Sequence, residues 1–292
     1  MQRFADVSAQ KWVWRAMVRS ALVPLVLVET VLIAVYLISN NLIREANINY
    51  IYQQADKELQ ISAQRESEVI REQLLAISRQ TEIYRTETQR VLSDKNIAIS
   101  DTEKSNYAIS PQGVFYSIKD TGGAASFYSS ATPLAQQDHE KVLRLSQLDS
   151  LMKGIKESNP LIAATYFNSW DSYNRIYPWV DTLDQYPKDM VIPNYNFYYL
   201  ADKKNDPLRT VVWTDVYIDP AGNGWMASCI APVYRQDFLE GVVGLDVTVG
   251  SIVEKIQRLS IPWGGYAILV NSNGNIMALP PEGEKDFGLR EL

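Results

Sequence analysis

An apolar segment near the N-terminus constrains the fold of this chain more than any other feature. Residues Ala21 to Ile38 read ALVPLVLVETVLIAVYLI, and Glu29 is the single charged side chain among them. A helix needs roughly 20 apolar residues to cross the hydrocarbon core of a bilayer. The segment therefore predicts a transmembrane helix over residues 20–39, in which Pro24 lies near the start, where proline costs least.

The charges that flank this segment predict its orientation. Before it, one acid, Asp6, stands against four basic side chains, Arg3, Lys11, Arg15 and Arg19. The positive-inside rule then places residues 1–19 in the cytoplasm and the rest of the chain outside it. A cleavable signal peptide is the alternative, but the charged leader is long and no small-x-small cleavage site follows the apolar run.

A long polar segment without proline or glycine follows the apolar one, from Asn40 to about Leu92. It predicts a stalk helix that continues from the membrane helix, with a connection up to residue 104. Its apolar residues include four at seven-residue spacing: Ile70, Ile77, Tyr84 and Val91. This stripe can pack along the chain's own domain or against the same helix of a second subunit, so a homodimer is expected as one alternative.

Beyond residue 104 the pattern changes to short strands and helices, which is typical of an α+β fold with an antiparallel sheet. Three successive strands are predicted between Trp213 and Val249, with Tyr217 and Asp219 on the first and Asp246 on the last. The other predicted elements are a hairpin of Gly113–Ile118 and Ala124–Ser129, a helix over Asp138–Ser158, strands over Leu161–Ser169 and Ile176–Val180, a helix over Ser251–Leu259, and a hairpin around Asn271–Asn275.

Composition excludes several classes of function. A formal net charge of -6 and a pI of about 5.0 argue against binding to nucleic acid. The one cysteine, Cys229, lies in an apolar strand pattern and is expected in the core. The one histidine, His139, has no second histidine with which to form a metal site, so neither metal nor cofactor is expected.

An enzyme is not expected either. A membrane-anchored hydrolase with Asp219 and Asp246 as acid and base is the one catalytic alternative. It is disfavoured because the chain has no nucleophile elbow and no metal-ligand spacing.

The order of several short motifs resembles the double Cache family of extracellular sensor domains. The residues that carry the resemblance follow the two helices and are Tyr198-Tyr199-Leu200-Ala201, Trp213-Thr214, Tyr217-x-Asp219, Pro232-Val233-Tyr234 and Gly241-Val-Val-Gly-Leu-Asp246. The family implies a PAS-like membrane-distal subdomain that binds a ligand, here residues 105–250. It also implies a membrane-proximal subdomain, which begins within residues 251–292 and looks cut short, ahead of a cytoplasmic output module.

The resemblance implies a ligand-sensing receptor in the inner membrane of a bacterium, with a periplasmic or extracellular sensor domain. In the amino-acid-binding branch of the family, the residue that matches Asp246 takes the ligand's amino group, and those that match Tyr217 and Asp219 assist. An arginine two residues before a Trp-Tyr pair binds the carboxylate. Here that pair is Tyr198-Tyr199, and the arginine position is Asn196.

Loss of the guanidinium removes bidentate recognition of a carboxylate. The sequence therefore favours an amine, or another small polar ligand, over an α-amino acid, since a carboxylate among aromatics binds an ammonium group well. Arg175 or Arg209 could replace the missing cation, which would restore the amino-acid alternative.

Two further candidates, Trp170 and Asp171, lie where a predicted strand meets a turn. Each candidate also has a structural explanation: Asp246 can cap the helix that follows it, Asp219 before Pro220 can begin a turn, and Tyr217 can be a half-buried sheet aromatic. A structural or dimerising ectodomain with a degenerate pocket is accordingly the second alternative.

Overall fold

The computed structural model describes residues 9–94, 101–219, 225–270, 274 and 276–288. The chain forms two compact units, residues 1–64 with 262–264, and residues 65–261 with 265–292. The sequence Gly222-Asn223-Gly224 predicts the turn between the first two of the three strands, and it lies outside the described residues. Most of the hairpin turn predicted at Asn271–Asn275 lies outside them as well.

One continuous helix dominates the N-terminal part of the chain. It begins as α1 (Ala9–Met17), passes through a π-helical segment (Val18–Leu22) and continues as α2 (Val23–Ser93). The π segment lies beside Pro24, which has no N–H to donate to the carbonyl four residues earlier. By length and composition, this helix contains a stretch that is long and apolar enough to cross a membrane.

The second unit is built on one antiparallel sheet whose strand order is β1-β2-β3-β5-β4-β9-β8-β6, with β7 paired to β8. Its strands are β1 (Tyr107–Ile109), β2 (Phe115–Ser117), β3 (Ala125–Tyr128), β4 (Ile162–Ser169), β5 (Tyr173–Tyr177), β6 (Val212–Trp213), β7 (Tyr217–Ile218), β8 (Trp225–Arg235) and β9 (Phe238–Thr248). The fold is therefore α+β, with a PAS-like antiparallel sheet after the long helix.

Short helices connect these strands. They are α3 (Asp101–Lys104), α4 (His139–Leu145), α5 (Asp149–Ser158), α6 (Thr182–Gln185), α7 (Asn196–Tyr199) and α8 (Val249–Gln257), with 3-10 turns at Leu134–Gln136, Ser146–Leu148, Ile192–Asn194 and Pro262–Gly264. The last elements are a two-stranded pair, β10 (Leu269–Val270) and β11 (Ile276–Ala278), and α9 (Pro281–Asp286).

The two faces of the sheet carry different cores. On one face, the distal part of α2 packs together with α4 and α5, and Ile77, Tyr84 and Val91 are fully buried there. From Ile77 onward, the seven-residue stripe thus packs on the chain's own domain. In the same layer the Ser78 hydroxyl accepts hydrogen bonds from Trp213 Nε1 at 3.1 Å and from Cys229 Sγ at 3.6 Å.

The opposite face is covered by the segment that contains α6 and α7. The buried residues of this second core include Val114, Phe127, Tyr166, Met190, Ile192, Phe197, Tyr198, Ile230 and Val242. The α-helices that the structure describes in this segment, α6 and α7, are each four residues long. A cavity forms here.

The structure corrects several predicted boundaries. The helix predicted over Asp138–Ser158 is two helices, α4 and α5, with a 3-10 turn between them. The strand predicted to begin at Ile176 begins at Tyr173, because Ser172 takes a φ of 62° and closes the turn early. The first of the three predicted strands is two short ones, β6 and β7, and Asp219 follows β7 instead of lying on it.

Candidate functional site

Strand alternation brings the polar residues of three neighbouring strands to one face of the sheet. Successive side chains of a strand point to opposite faces, so every second residue shares a face. On this face lie Ala164, Tyr166 and Asn168 of β4, while Asp246 of β9 pairs with Ala164 in the sheet and Asn174 of β5 pairs with Asn168.

These side chains form the floor of a cavity in the second unit. The lining residues are Ala164, Tyr166, Asn168, Asn174, Ile176, Tyr186, Met190, Ile192, Phe197, Tyr217, Asp219 and Asp246. The volume is about 50 Å³, which is room for only a few water molecules. The cavity is therefore narrow, and it suits a small or unbranched ligand.

The Asp246 carboxylate is buried at the floor of this cavity. Asp246 is 7% exposed. Ser228 Oγ donates a hydrogen bond to Asp246 Oδ1 at 2.5 Å, and Tyr217 Oη donates to the same oxygen at 3.5 Å. Tyr217 Oη and Ser228 Oγ are themselves 2.7 Å apart. These contacts fix the orientation of the carboxylate.

Burial raises the pKa of the Asp246 carboxyl to about 7. The nearby Asp219 carboxylate acts in the same direction, whereas the hydrogen bonds from Ser228 and Tyr217 lower the pKa. Burial also raises the pKa of the phenols that surround Asp246, those of Tyr166, Tyr186 and Tyr217. The tyrosines therefore stay neutral across the pH range in which Asp246 titrates.

Aromatic rings form the side of the cavity beside Asp246. The ring centroids of Phe197 and Tyr217 are 5.9 Å apart, and those of Tyr166 and Phe197 are 6.1 Å apart with the rings edge to face. Ring faces next to a buried carboxylate attract an ammonium group by cation–π interaction as well as by charge. The chemistry of the site fits a cation.

Three of the predicted ligand-binding residues meet at this cavity: Tyr217, Asp219 and Asp246. Three others lie on or next to α7 and do not line it. Tyr198 is packed in the core, Tyr199 is 40% exposed, and the Asn196 side chain accepts a hydrogen bond from the Phe197 N–H at 2.9 Å.

The remaining two predicted residues, Trp170 and Asp171, border a different cavity, of about 310 Å³. Asp171 is buried there in an ion pair with Lys141 Nζ at 2.7 Å, and Tyr128 and Ser169 also donate hydrogen bonds to it. Trp170 is half exposed and lies edge to face with Phe238.

The two arginines proposed as substitutes for the missing cation lie away from the Asp246 cavity. Arg175 is on the other face of the sheet, fully buried, and pairs with Asp149 at 2.6 Å. Arg209 stacks on the Tyr234 ring and pairs with Asp237 at 2.7 Å. None of the described residues that line the cavity is a lysine or an arginine.

The sequence did not point to several lining residues. Asn168 and Asn174 lie on either side of the β4–β5 turn, and Tyr166 shares their face; period-2 alternation in β4 would have placed Asn168 beside Tyr166. Met190 and Ile192 come from an irregular segment that gives no such signal. Phe197 is buried in the core and also lines the cavity.

Within the described part of the chain, histidine, cysteine, aspartate and glutamate side chains do not gather in groups of three or more that could hold a metal ion. His139 stacks on the Phe115 ring with centroids 4.0 Å apart.

Comparison with known proteins agrees with this architecture. Residues 147–254 match the family model of the methyl-accepting chemotaxis protein-like, first PDC sensor domain. The chain is 24% identical over 136 residues to the methyl-accepting chemotaxis protein McpC of Bacillus subtilis, which is 47% of this chain and 20% of that protein. It thus spans about a fifth of the length of that relative.

A second relative and two solved structures are similar in part. The voltage-dependent calcium channel subunit alpha-2/delta-3 of Rattus norvegicus is 32% identical over 87 residues, 26% of this chain and 8% of that protein. The ligand-binding domain of Pseudomonas fluorescens CtaA with L-serine is 20% identical, with a TM-score of 0.38 and coverage of 55% of this chain and 66% of that one. The domain of Pseudomonas aeruginosa PctB with L-Gln is 18% identical, with a TM-score of 0.38 and 72% coverage of each chain.

The family match, the order of motifs and the sheet that follows the long helix agree with one another. Over residues 147–254 the chain is therefore similar to a PDC sensor domain of the chemotaxis-receptor kind, and its resemblance to the double Cache family is confirmed.

Proposed function

We propose that this chain is the extracytoplasmic sensor part of a transmembrane receptor and that it binds a small amine at Asp246. One observation carries this proposal. A buried carboxylate, 7% exposed, lies among aromatic rings in a cavity whose described lining residues include neither lysine nor arginine. An ammonium group gains a charge-assisted hydrogen bond and ring contacts in such a site.

α-Amino acids are the second candidate for the ligand, and two of the similar chemoreceptor domains were crystallised with L-serine and L-Gln. An amino acid brings a carboxylate into the cavity beside Asp219 and Asp246. Without a cation to pair with it, the ligand's carboxylate is repelled by both side chains. For this reason the amine is the preferred ligand of our proposal.

A matched pair of ligands tests this choice. We expect isothermal titration calorimetry on the full chain in detergent micelles at pH 8 to detect ethylamine and to find weaker binding of L-alanine, which is the same skeleton with a carboxylate added. Asp246→Asn should abolish binding of ethylamine, whereas Asp237→Asn, whose carboxylate is 89% exposed and far from the cavity, should leave it unchanged.

Two other results would each redirect the proposal. Tighter binding of L-alanine than of ethylamine would make the chain an amino-acid sensor. No binding of any compound in a broad panel of amines, amino acids and organic acids would favour an ectodomain with a degenerate pocket.

The membrane and a second copy of the chain are the partners that belong to this proposal. Large apolar side chains of α2 in the N-terminal unit are exposed, among them Ile43, Ile48, Ile51 and Leu59. In a receptor they would contact lipid or the same helix of a second subunit. Disulfide cross-linking of single-cysteine variants along residues 43–59, in a Cys229→Ala background, should give a helical pattern of dimer if the helices pair.

A further inference from the structure

Two asparagines face each other at the end of the cavity that the Asp246 ammonium site does not use. Asn168 and Asn174 are register partners on adjacent antiparallel strands, and both are buried, at 2% and 6% exposure. Asn174 Nδ2 donates a hydrogen bond to Asn168 Oδ1 at 2.8 Å. Both residues line the same cavity as Asp246.

The pairing leaves one polar atom of Asn174 unsatisfied. Within the described part of the chain, Asn174 Oδ1 is buried and accepts no hydrogen bond. Buried polar atoms without partners are rare in native proteins, and each one calls for an explanation such as a functional role. A cavity on the same residue offers that explanation, because a ligand can supply the donor.

The two polar ends of the cavity are well separated. Asp246 pairs with Ala164 and Asn174 pairs with Asn168, so the two sites differ by four residues along β4, which is roughly 13 Å. Between them the lining is mainly the Tyr166 ring and apolar side chains such as Ile176, Ile192 and Phe197. A narrow apolar passage between two polar ends matches an unbranched alkyl chain.

We propose that Asn174 is a specificity-determining residue that accepts a hydrogen bond from the far end of the ligand, so that the ligand is an unbranched amine with a second donor. An ω-amino alcohol or an α,ω-diamine meets this description: the ammonium group binds Asp246, the chain lies over Tyr166, and the terminal hydroxyl or ammonium donates to Asn174 Oδ1. This inference rests on the proposed function, since it assumes that Asp246 holds the amine.

Four probes of equal chain length separate the inference from the proposed function. They are an n-alkylamine, the ω-amino alcohol, the α,ω-diamine and the ω-amino carboxylate, each with chains of four to seven carbons, titrated by calorimetry into the full chain in detergent micelles at pH 8. One well-aligned hydrogen bond at this site should make the amino alcohol and the diamine about tenfold tighter than the alkylamine at the best chain length. The amino carboxylate should bind most weakly.

Variants then locate the effect. Asn174→Leu, an apolar residue of similar size, should keep the affinity for the alkylamine and remove the advantage of the amino alcohol. Asn174→Asp retains an acceptor and should prefer the diamine to the amino alcohol, so the inference stays testable if the leucine variant does not fold. Asn194→Leu, at an exposed asparagine outside the cavity, is the matched control and should change nothing.

Each contrary result has a separate meaning. Equal affinity for the alkylamine and the amino alcohol at every chain length overturns the role of Asn174 and leaves the amine sensor intact. Tightest binding of the amino carboxylate also overturns it, because the Asn174 amide would then present Nδ2 to a carboxylate. Absence of binding by all four probes refutes both this inference and the proposed function.

Discussion

At the scale of single residues, Asp246 combines two opposite requirements. The proposed binding of an amine needs a charged carboxylate, whereas burial favours the neutral acid and raises its pKa to about 7. The pKa of an unperturbed aspartate is close to 4. Between these values the folded chain holds a proton that the unfolded chain has released, and stability therefore falls as the pH rises from about 4 to about 7.

The first prediction follows from this difference in pKa. At pH 8 the buried charge should cost the ligand-free protein roughly 4 kcal/mol relative to pH 4, since one pKa unit is about 1.4 kcal/mol. Asp246→Asn should therefore raise the melting temperature at pH 8 and leave it nearly unchanged at pH 4, measured by circular dichroism. Asp237→Asn serves as the control; the same gain in that variant would show that the effect is not due to burial.

The same titration predicts how ligand affinity depends on pH. An ammonium ligand binds the ionised form of Asp246, and with a pKa near 7 the ionised fraction rises about tenfold between pH 6 and pH 8. The dissociation constant of ethylamine should fall by about that factor over this range in calorimetric titrations. An affinity independent of pH would mean that the amine is not held by Asp246.

Gly244 gives a third prediction at this scale. A Cβ at this position would lie 2.1 Å from Cζ and 2.2 Å from Oη of Tyr166, so glycine is required for the Tyr166 ring to lie across β9. Gly244→Ala should cost about 1–3 kcal/mol of stability by overpacking and should push the ring toward the cavity, weakening ligand binding. Gly250→Ala, where no atom lies within 4 Å of the added carbon, should be nearly neutral in both assays.

At the scale of elements, the long helix has two differently placed sets of apolar residues. Ile77 is fully buried against the sheet, whereas Ile83 on the same helix is 59% exposed. Ile77→Ala should destabilise the sheet unit by about 2–5 kcal/mol, because it leaves a cavity in a packed core. Ile83→Ala should change the free energy of unfolding by less than about 0.5 kcal/mol, and an equal loss in both variants would contradict this packing.

The sequence predicted these elements unevenly, for physical reasons. The buried stripe of the long helix could be predicted because apolar residues recur regularly along its distal half. Tyr217, Asp219 and Asp246 were predicted from an ordered set of motifs. Asn174 was not predicted as a site residue because its position depends on strand register. The register decides which residues of two neighbouring strands lie opposite each other. Helix α3 lies in the stretch up to residue 104 that was expected to be a connection, and strand β1 was not among the predicted strands.

The segment around α7 illustrates the other limit of sequence reasoning. Helix α7 has four residues, whose side chains point in different directions. Of these residues, Phe197 lines the cavity, whereas Asn196, Tyr198 and Tyr199 do not. Such a short helix is fixed by its tertiary contacts and not by its own propensity. Trp170 and Asp171 likewise lie at the turn between β4 and β5, where strand alternation no longer applies.

At the scale of the whole molecule, the proposed orientation can be tested by labelling. In a Cys229→Ala background, a cysteine at Leu208, which is 81% exposed, should react with a membrane-impermeant maleimide on spheroplasts. A cysteine at Lys11 should react only after the membrane is permeabilised. The reverse pattern would place the sensor domain in the cytoplasm and contradict the positive-inside prediction.

Two consecutive residues of β8, Ser228 and Cys229, connect the cavity with the long helix α2. Ser228 donates a hydrogen bond to the Asp246 carboxylate on the cavity face, and Cys229 donates one to Ser78 of α2 on the other face. Successive side chains of a strand point to opposite faces, so these two neighbours connect the cavity face of the sheet with the face that packs on α2. A shift of β8 on ligand binding at Asp246 would therefore also change the Cys229–Ser78 contact with α2.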